Sequence, residues 1–490
     1  MENTFYSLND GTYNYTAWSM DSLGHLNKSE RTITVNTDLI SIDAKTPVDG
    51  AGYNSLPIDI NLTTDTSADW CGWNIDNTGS NTTMSNSTPT DWYSNISSTT
   101  EGEHTLYVYC NDSQGLSQLT IDFIFDNTTP KYSWETPTPE NGAKVPRNWS
   151  YLNTTIEDSH MASAFFDWNR SLVGYWNFEN VNSTGIFDNS TYGNFGTFSA
   201  NGPYEVNVTK GQYGQCIEFD GSDDYISIGL LDVFDEVSSN DFTVALWINS
   251  QDLTGYGTWT RIFEARKNDA NFVQFNIHED NKVQFIEADD GTERAESIDN
   301  VINENEWYHL VGVWDSSQDE LKIYLNGILQ SSSGSTNSWP GSQESINIGR
   351  RSDGNGYFDG LIDEVIIYDR VLSNQEVKSS YDVLQNRLYG NFTELSDNET
   401  YFYKLWTIDR AGNLNTSYTR NFTVDSTEPT ISWDSPTPLD GETKNQENIY
   451  LNATVEDDSD TSAFFDWNRS LVGYWSFEHV LSNGTVYDNS

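Results

Sequence analysis

The sequence predicts an all-β chain of several sandwich domains, one of them interrupted by a larger inserted β domain. Three observations carry this expectation. Apolar and polar residues alternate with period two through many short runs, such as FVQFNI (272–277) and ELKIYLNGIL (320–329). Asp-Gly and Asn-Gly turns sit between such runs, and only the stretch after Leu372 reads as helix, with Ser373 as cap and Glu376 three residues on. The third is a repeat: SAFFDWNRSLVGYW at 163–176 recurs letter for letter at 462–475, 299 positions later.

At 490 residues the chain is too long for one core, and 14% aromatic residues supply ample material for several. Its 74 acidic against 24 basic residues give a formal net charge of −50, which opposes nucleic acid and anionic membranes as partners. About twenty N-x-S/T sequons, such as Asn81-Thr-Thr and Asn127-Thr-Thr, are mild support for a glycosylated extracellular protein, since an Asn/Thr-rich chain also makes them by chance. No run of about 18 apolar residues appears, and MENTFYSLNDGTYNY lacks the pattern of a secretory leader.

The repeat sets the domain order. SWETPTPENG (133–142) pairs with SWDSPTPLDG (432–441), yet only a few residues follow the second GYW before Ser490. The sequence is therefore expected to be a segment of a longer repetitive protein. A shorter repeat lies within: GTYNYTAWSMDSLGHLN (11–27), GEHTLYVYCNDSQGLSQ (102–118) and ETYFYKLWTIDRAGNLN (399–415) align without gaps on D-x-x-G, and each reads as a hairpin. The first two lie 91 residues apart, the length of an immunoglobulin-type sandwich. The expected order is the end of one sandwich (1–37), a complete sandwich (38–128), and a split sandwich (129–170 and 384–427) hosting an insertion (171–383). The start of another sandwich (428–470) and of another inserted domain (471–490) follow.

Cys71 and Cys110 are both present in the complete sandwich, and the matching positions of the split one are Phe166 and Thr407. Joint presence and joint absence point to a Cys71–Cys110 disulfide and an oxidising compartment, the alternative being two buried thiols. Cys216 has no such partner and is expected to be a small core residue.

The inserted stretch carries GYWNFEN, GQCIEFDGSDDYISIG, FTVALWIN, WYHLVGVWD, LKIYLNG and GYFDGLIDEVIIYDRVLSNQEV in that order. Together these resemble the laminin-G-like, concanavalin-A-like jelly-roll family, with an antiparallel sandwich fold. The flanking sandwiches, through NDSQG and IDRAGN, resemble the immunoglobulin-like modules of bacterial and archaeal surface proteins. The first resemblance implies a calcium site between an early D-x-S-x-x-G-N segment and the late I-D-E-V strand: here Asp188, Ser190 and Asn194 with Asp363 and Glu364. Adjacent residues of a strand face opposite ways, so only one of Asp363 and Glu364 is expected to ligate, and the alternative is that Asp188 caps a turn. Asp220, Asp223 and Asp224 form a second acidic loop, read as a turn that holds Tyr225 or as a further metal site.

Sugar binding by this fold needs exposed aromatics, and the loop candidates are Tyr256, Trp259, Trp339 and Tyr357, each also explicable as a loop anchor. Trp247, Trp307 and Trp314 alternate within strands and are expected in the core. Some glycoside hydrolases share the fold, which makes Glu287, Asp289 and Glu293 candidate catalytic carboxylates; the Asp290-Gly291 turn between them favours a solvated hairpin tip. No H-E-x-x-H, G-x-S-x-G or clustered Cys/His pattern is present; His309 in WYHLV reads as a strand residue and His278 lies close to a turn. The leading expectation is a non-catalytic cell-surface or secreted repeat protein whose inserted domain binds glycan or protein ligands. A ligand-free structural stalk, or an accessory arm of a secreted carbohydrate-active enzyme, stands beside it.

Overall fold

The computed structural model describes residues 11–20, 25–35, 39–160, 162–199, 207–231, 233, 241–253, 259–268, 271–289, 293–334, 345–352, 354, 356–382, 387–457 and 461–471. They form strands throughout and, among the described residues, one α-helix, Asn374–Tyr381. The chain divides into two compact units. One holds Met1–Thr138, Tyr151–Gly390 and Phe402–Arg420; the other holds Pro139–Ser150, Asn391–Tyr401 and Asn421–Ser490.

In the first unit, residues 39–126 make a two-sheet sandwich. One sheet runs Ala51–Tyr53, Leu116–Phe125, Gly102–Asn111, Trp70–Ile75, Thr82–Thr83, and the other Ile42–Thr46, Ile58–Thr64, Asp91–Ile96, Ser85–Asn86. Alternation sends Leu106, Val108 and Cys110 into the core against Ile58, Ile60 and Leu62. Cys71 and Cys110 stand directly opposite on neighbouring strands and are disulfide-bonded. The bond thus lies within one sheet, whereas the immunoglobulin hallmark disulfide joins two.

The split host shows a related hairpin. Strand Ala162–Trp168 pairs antiparallel with Thr400–Asp409 although the whole inserted domain separates them in sequence. Its register is moved by two residues relative to the complete sandwich: Trp73 opposes Val108, but the matching Trp168 opposes Tyr403. A two-residue shift keeps every side chain on its face. Phe166 and Thr407, the counterparts of the cysteines, consequently oppose Leu405 and Ala164 instead of each other. Trp134 stacks on Phe166 and meets Tyr403 edge-on inside the host.

The inserted domain is two packed antiparallel sheets. The eight-stranded sheet runs Asn207–Lys210, Gln215–Asp220, Asp359–Tyr368, Phe242–Ser250, Trp307–Asp315, Glu320–Leu325, Ile328–Gly334, with Leu172–Trp176 also paired to Asp359–Tyr368. The nine-stranded sheet ends in the run Ile226–Ile228, Ser345–Ile348, Trp259–Asn268, Asn271–His278, Val283–Asp289, Glu293–Glu296. Between them lies a core including Trp176, Phe219, Phe263, Phe275 and Phe285. Cys216 is a buried free thiol, as expected.

The outer face of the eight-stranded sheet is apolar too. Tyr175, Ala245, Ile366 and Tyr368 form a second cluster with Leu372 and Val377 and with the host residues Phe165 and Trp406. A third joins Tyr213 and Trp247 to host Ile408. Trp247 is therefore buried, but in this seam and not in the jelly-roll core, as is the half-buried Trp307 beside it. The adjacent phenylalanines of the repeated AFFDW divide the work: Phe166 faces the host and Phe165 the guest. Host strand and guest strand are joined by Asn169 and Arg170, both in the left-handed region (φ 51° and 64°), and Asp167 Oδ1 accepts from Leu172 N at 3.1 Å.

At the guest's other end the helix is held by a capping box between Ser373 and Glu376. Glu376 also takes the Arg370 guanidinium, 2.7 Å to Nη2, and Arg370 Nε donates to Ser171 Oγ. Arg370 thus pins the domain's last turns to its first residues. In the second unit, Ala143–Val145 pairs parallel with Arg420–Val424, and Thr430–Trp433 pairs with Ala453–Glu456.

Candidate functional site

Strand alternation decides which side chains leave the jelly-roll core on the nine-stranded sheet. Val273, Phe275 and Ile277 point in, so Gln274 and Asn276 point out; Val283 and Phe285 point in, so Gln284 points out. The ladder sets Asn276 between Arg261 on one neighbour and Gln284 on the other. One step along, Gln274 opposes Glu264, which opposes Asn347. The outer face of a sheet ordinarily meets water, yet Asn276 and Glu264 are 0% exposed and Gln284 and Asn347 1%. A buried, almost wholly polar floor results.

Its electrostatics are partly settled internally. Glu264 accepts from Arg266 Nη1 (3.0 Å) and from Ser352 N (2.7 Å), while Asn347 Nδ2 donates to Ser352 Oγ (3.0 Å). Gly349 N donates to Ile262 O and Arg261 N donates to Gly356 O at this edge. The amides are not settled. Both side-chain atoms of Asn276 and the Oε1 atoms of Gln274 and Gln284 have no hydrogen-bond partner. Each buried group in that state costs about 1–3 kcal/mol.

The aromatic candidates fall around this face unevenly. Tyr256 and Trp339 lie outside the described residues. Trp259 begins its strand opposite His278, but its side chain also lies outside the described residues. Tyr357 is half-buried and follows Gly356, which binds Arg261 N. The floor amides themselves were not singled out from the sequence. Their signal is the outward set of FVQFNI and KVQF, which carries amides where a solvated face carries charge.

The five proposed calcium ligands are placed in two groups. Asp188 organises its own turn: Oδ1 accepts from Tyr175 N and Ser190 N, and Oδ2 from Ser190 Oγ and Asn194 N, all at 2.7–2.8 Å. Asn194 Nδ2 donates to Val173 O. Asp363 and Glu364 sit at a β-bulge, where the register against Phe242–Ser250 slips between Ala245 and Trp247 and Glu364 takes φ 50°. Because Ile362 and Val365 both enter the core, the bulge turns Asp363 and Glu364 to the same outer face, contrary to the alternation expected for adjacent residues. Asp363 Oδ2 accepts from Tyr213 N (3.0 Å), Glu364 Oε2 accepts from Tyr175 Oη (2.8 Å), and Glu364 Oε1 has no partner. Burial pushes both carboxyls well above the ordinary range, and their mutual repulsion adds to this for Glu364. Among the described residues Asp188, Asp363 and Glu364 do not form a group of three whose carboxylate oxygens all lie within 4.8 Å of one another. Asp188→Ala is expected to destabilise by about 2 kcal/mol equally with calcium and with chelator in thermal melts. A loss confined to the calcium-loaded protein would instead make Asp188 a ligand.

Two acidic groups do converge: Asp220, Asp223 and Asp224, and Asp126, Asp158 and His160. In the first, Asp220 Oδ1 accepts from Ser222 N and Asp223 N, and Asp224 Oδ2 from Asp220 N, which ties the turn before Tyr225. In the second, His160 Nδ1 is 2.6 Å from Asp126 Oδ2. Nearby Asp409 is raised by burial to about 7, the charges of Asp158 and Asp126 adding to the rise. A folded state that holds this proton longer than the unfolded chain loses stability as pH climbs from about 4 to about 7, and no further above that. Asp409→Asn is expected to flatten this slope in urea melts at pH 4.5 and 7.5; an unchanged slope would show that Asp409 ionises normally.

Of the candidate catalytic carboxylates only the side chain of Glu287 is described, and it is not part of a solvated tip; the side chains of Asp289 and Glu293 lie outside the described residues. Glu287 is 1% exposed, its strand position opposite Val273 on one side and Glu293 on the other. His309 is fully buried against Trp247, and burial lowers it to about 3.

Residues 220–378 match the laminin G-type family model described as the concanavalin A-like lectin/glucanases superfamily. The pentraxin-related protein PTX3 of Mus musculus is 27% identical over 168 residues, which are 31% of this chain and 41% of the mouse protein. The chain thus spans about two-fifths of that relative's length. Domain 4 of AbnA, an extracellular GH43 arabinanase from Geobacillus stearothermophilus solved with arabinotriose, is 20% identical and covers 43% of this chain and 98% of its own, TM-score 0.36. The receptor binding domain of botulinum neurotoxin D is 18% identical over 44% of this chain and 52% of its own, TM-score 0.35. The inserted domain is concanavalin A-like.

Proposed function

We propose that this concanavalin A-like domain is a non-catalytic recognition module that binds a glycan on the outer face of its nine-stranded sheet. The observation that carries the proposal is the match of residues 220–378 to the concanavalin A-like lectin/glucanases superfamily; the unpartnered amide of Asn276 marks where a ligand would bind once the groups covering it move aside. A sugar hydroxyl donates and accepts at once, which is what an amide needs on its two ends. The sandwiches then act as spacers of immunoglobulin-like type, the protein as an extracellular or surface-bound adhesion protein. The Cys71–Cys110 disulfide supports an oxidising compartment, and among the described residues no helix is long and apolar enough to cross a membrane.

The test is a glycan array probed with the full chain, followed by calorimetric titration of the best ligand. Asn276→Ala is expected to weaken that ligand about tenfold, or 1.4 kcal/mol, while leaving melting unchanged or slightly higher, because the wild-type amide makes no hydrogen bond in the free protein. Unchanged affinity in a folded Asn276→Ala variant would remove this face as the site. A purely structural stalk is the second reading, favoured by the apolar seam that fixes the domain to its host; a blank array would leave it standing.

A further inference from the structure

We propose that the chain is self-complementary: the open half-sandwich at 430–471 receives the hairpin 11–35 of a second copy, so that copies join head to tail. The proposal is independent of the glycan reading and concerns a different surface. The intact host shows what such a half requires. There Ala162–Trp168 pairs with Thr400–Asp409, and Trp134, Phe166 and Tyr403 close into one aromatic group. More than two hundred residues separate the two strands, so the fit of their faces joins them, not nearness in sequence.

The repeat supplies the first half again, already shaped. Trp433 stacks on Phe465 (5.8 Å, 16°) as Trp134 does on Phe166. Asn468 and Arg469 take φ 53° and 57°, Ser470 N donates to Trp467 O, and Leu471 N donates to Asp466 Oδ1 at 2.9 Å, each as in the first copy. Yet SAFFDW is a strand only at 163–168, where Thr400–Asp409 lies beside it, and not at 462–467. Beside the second copy opens a groove of about 1090 Å³ lined by Trp433, Leu439, Ile449, Leu451 and Trp467. Trp467 is 59% exposed, whereas its counterpart Trp168 is 8% exposed.

Hairpin 11–35 carries the matching half. Gly11–Met20 and Leu26–Val35 form a two-stranded sheet, an arrangement that is marginal in water by itself. On the alignment of 11–27 with 399–415, Tyr15 falls where Tyr403 stands, Ala17 where Leu405 stands and Trp18 where Trp406 stands. In the next strand Arg31 and Ile33 of RTITV match Arg420 and Phe422 of RNFTV. Tyr15 and Ile33 are half exposed, while Tyr403 and Phe422 are fully buried. In the host register, Trp467 of one copy opposes Tyr15 of the second copy, Phe465 opposes Ala17, and Ser462 opposes Met20. Tyr15 then meets Trp433 as Tyr403 meets Trp134, and Arg31 covers both rings as Arg420 covers Trp134 and Tyr403 at 5.5 and 5.6 Å. A ladder with side chains seated in pockets is the general form of strand addition, and a preformed acceptor loses little freedom on binding. Ala17 in place of Leu405 fills the core less, so this joint is weaker than the host's own and reversible. Donor and acceptor faces differ, so the contact propagates along a row of copies unless the rotation closes it.

Sedimentation velocity of the full chain over a concentration series tests this. The mass is expected to rise from one copy to two and more. Tyr15→Asp blocks the hairpin and Phe465→Asp blocks the groove, so each variant alone should stay at one copy. Mixed, they should form a one-to-one dimer and stop there, because a single sound hairpin meets a single sound groove. Both side chains are about half exposed, so neither change empties a core. Hydrogen exchange of the wild type needs no variant: strand Gly11–Met20 and residues 462–467 should gain protection together as concentration rises. Wild type that stays at one copy throughout overturns the proposal. So does association that survives either variant, or a mixture that fails to dimerise or grows past the dimer. Protection of 462–467 at every dilution, with the mass of one copy, would show that a segment of the same chain fills the groove and would overturn the second copy as its occupant.

Discussion

Trp406→Ala is expected to lower the stability of the chain by about 3–5 kcal/mol and to split one unfolding transition of host and inserted domain into two. Trp406 belongs to the host hairpin, yet only 5% of it is exposed, because it stacks on Phe165 (6.4 Å between centroids, 11°) and meets Tyr175 edge-on at 5.6 Å. Phe165 in turn contacts Tyr175 at 5.2 Å and Tyr368 at 6.4 Å, both edge-on, and these two belong to the inserted domain. Truncation opens a cavity in the seam and removes two ring pairs that add about 0.5–1.5 kcal/mol each. Differential scanning calorimetry of wild type and variant checks it. A loss below about 1 kcal/mol, with the transitions unchanged, would mean that host and guest unfold independently.

Loss of the Cys71–Cys110 bond is the second large effect. The bond closes a loop of 39 residues in sequence, and removing such a constraint from the unfolded chain is worth about 4 kcal/mol. Both cysteines are 0% exposed and sit in the sandwich core, so Cys71→Ala/Cys110→Ala keeps the site apolar and mainly reports the missing crosslink. Urea melts followed through the sandwich should move to lower denaturant by that amount, and reductant should then have no further effect. The split host is the internal control, since it carries Phe166 and Thr407 instead and its unfolding should ignore reductant. A double variant as stable as wild type would show that the unfolded chain gains little freedom when the bond is absent.

What could be read from the sequence follows from the length scale of each signal. Period-two runs and Asp-Gly or Asn-Gly turns are local, and they foretold the all-β character and the hairpins at 283–296 and 320–334. The cysteine pair was legible because its presence and absence could be compared between related stretches. Seam residues were not: Trp247 looks like any core tryptophan, and nothing in FTVALWIN tells which of its two buried faces meets a second domain. The bulge at Glu364 was hidden for a related reason, since one extra residue in a ladder depends on the partner strand's register. The amide floor escaped because glutamine and asparagine on a strand are unremarkable singly. Only the pairing of Asn276 with Gln284 across two strands makes them a surface.

Where the inserted domain joins its host also decides how the chain carries tension. The polypeptide detours through more than two hundred residues between Trp168 and Tyr403, yet these two positions are ladder neighbours. A pull between the two host strands is handed across that ladder, from strand Ala162–Trp168 to Thr400–Asp409, and the detour stays out of the line of force. Only rupture of the host hairpin would release the detour as slack.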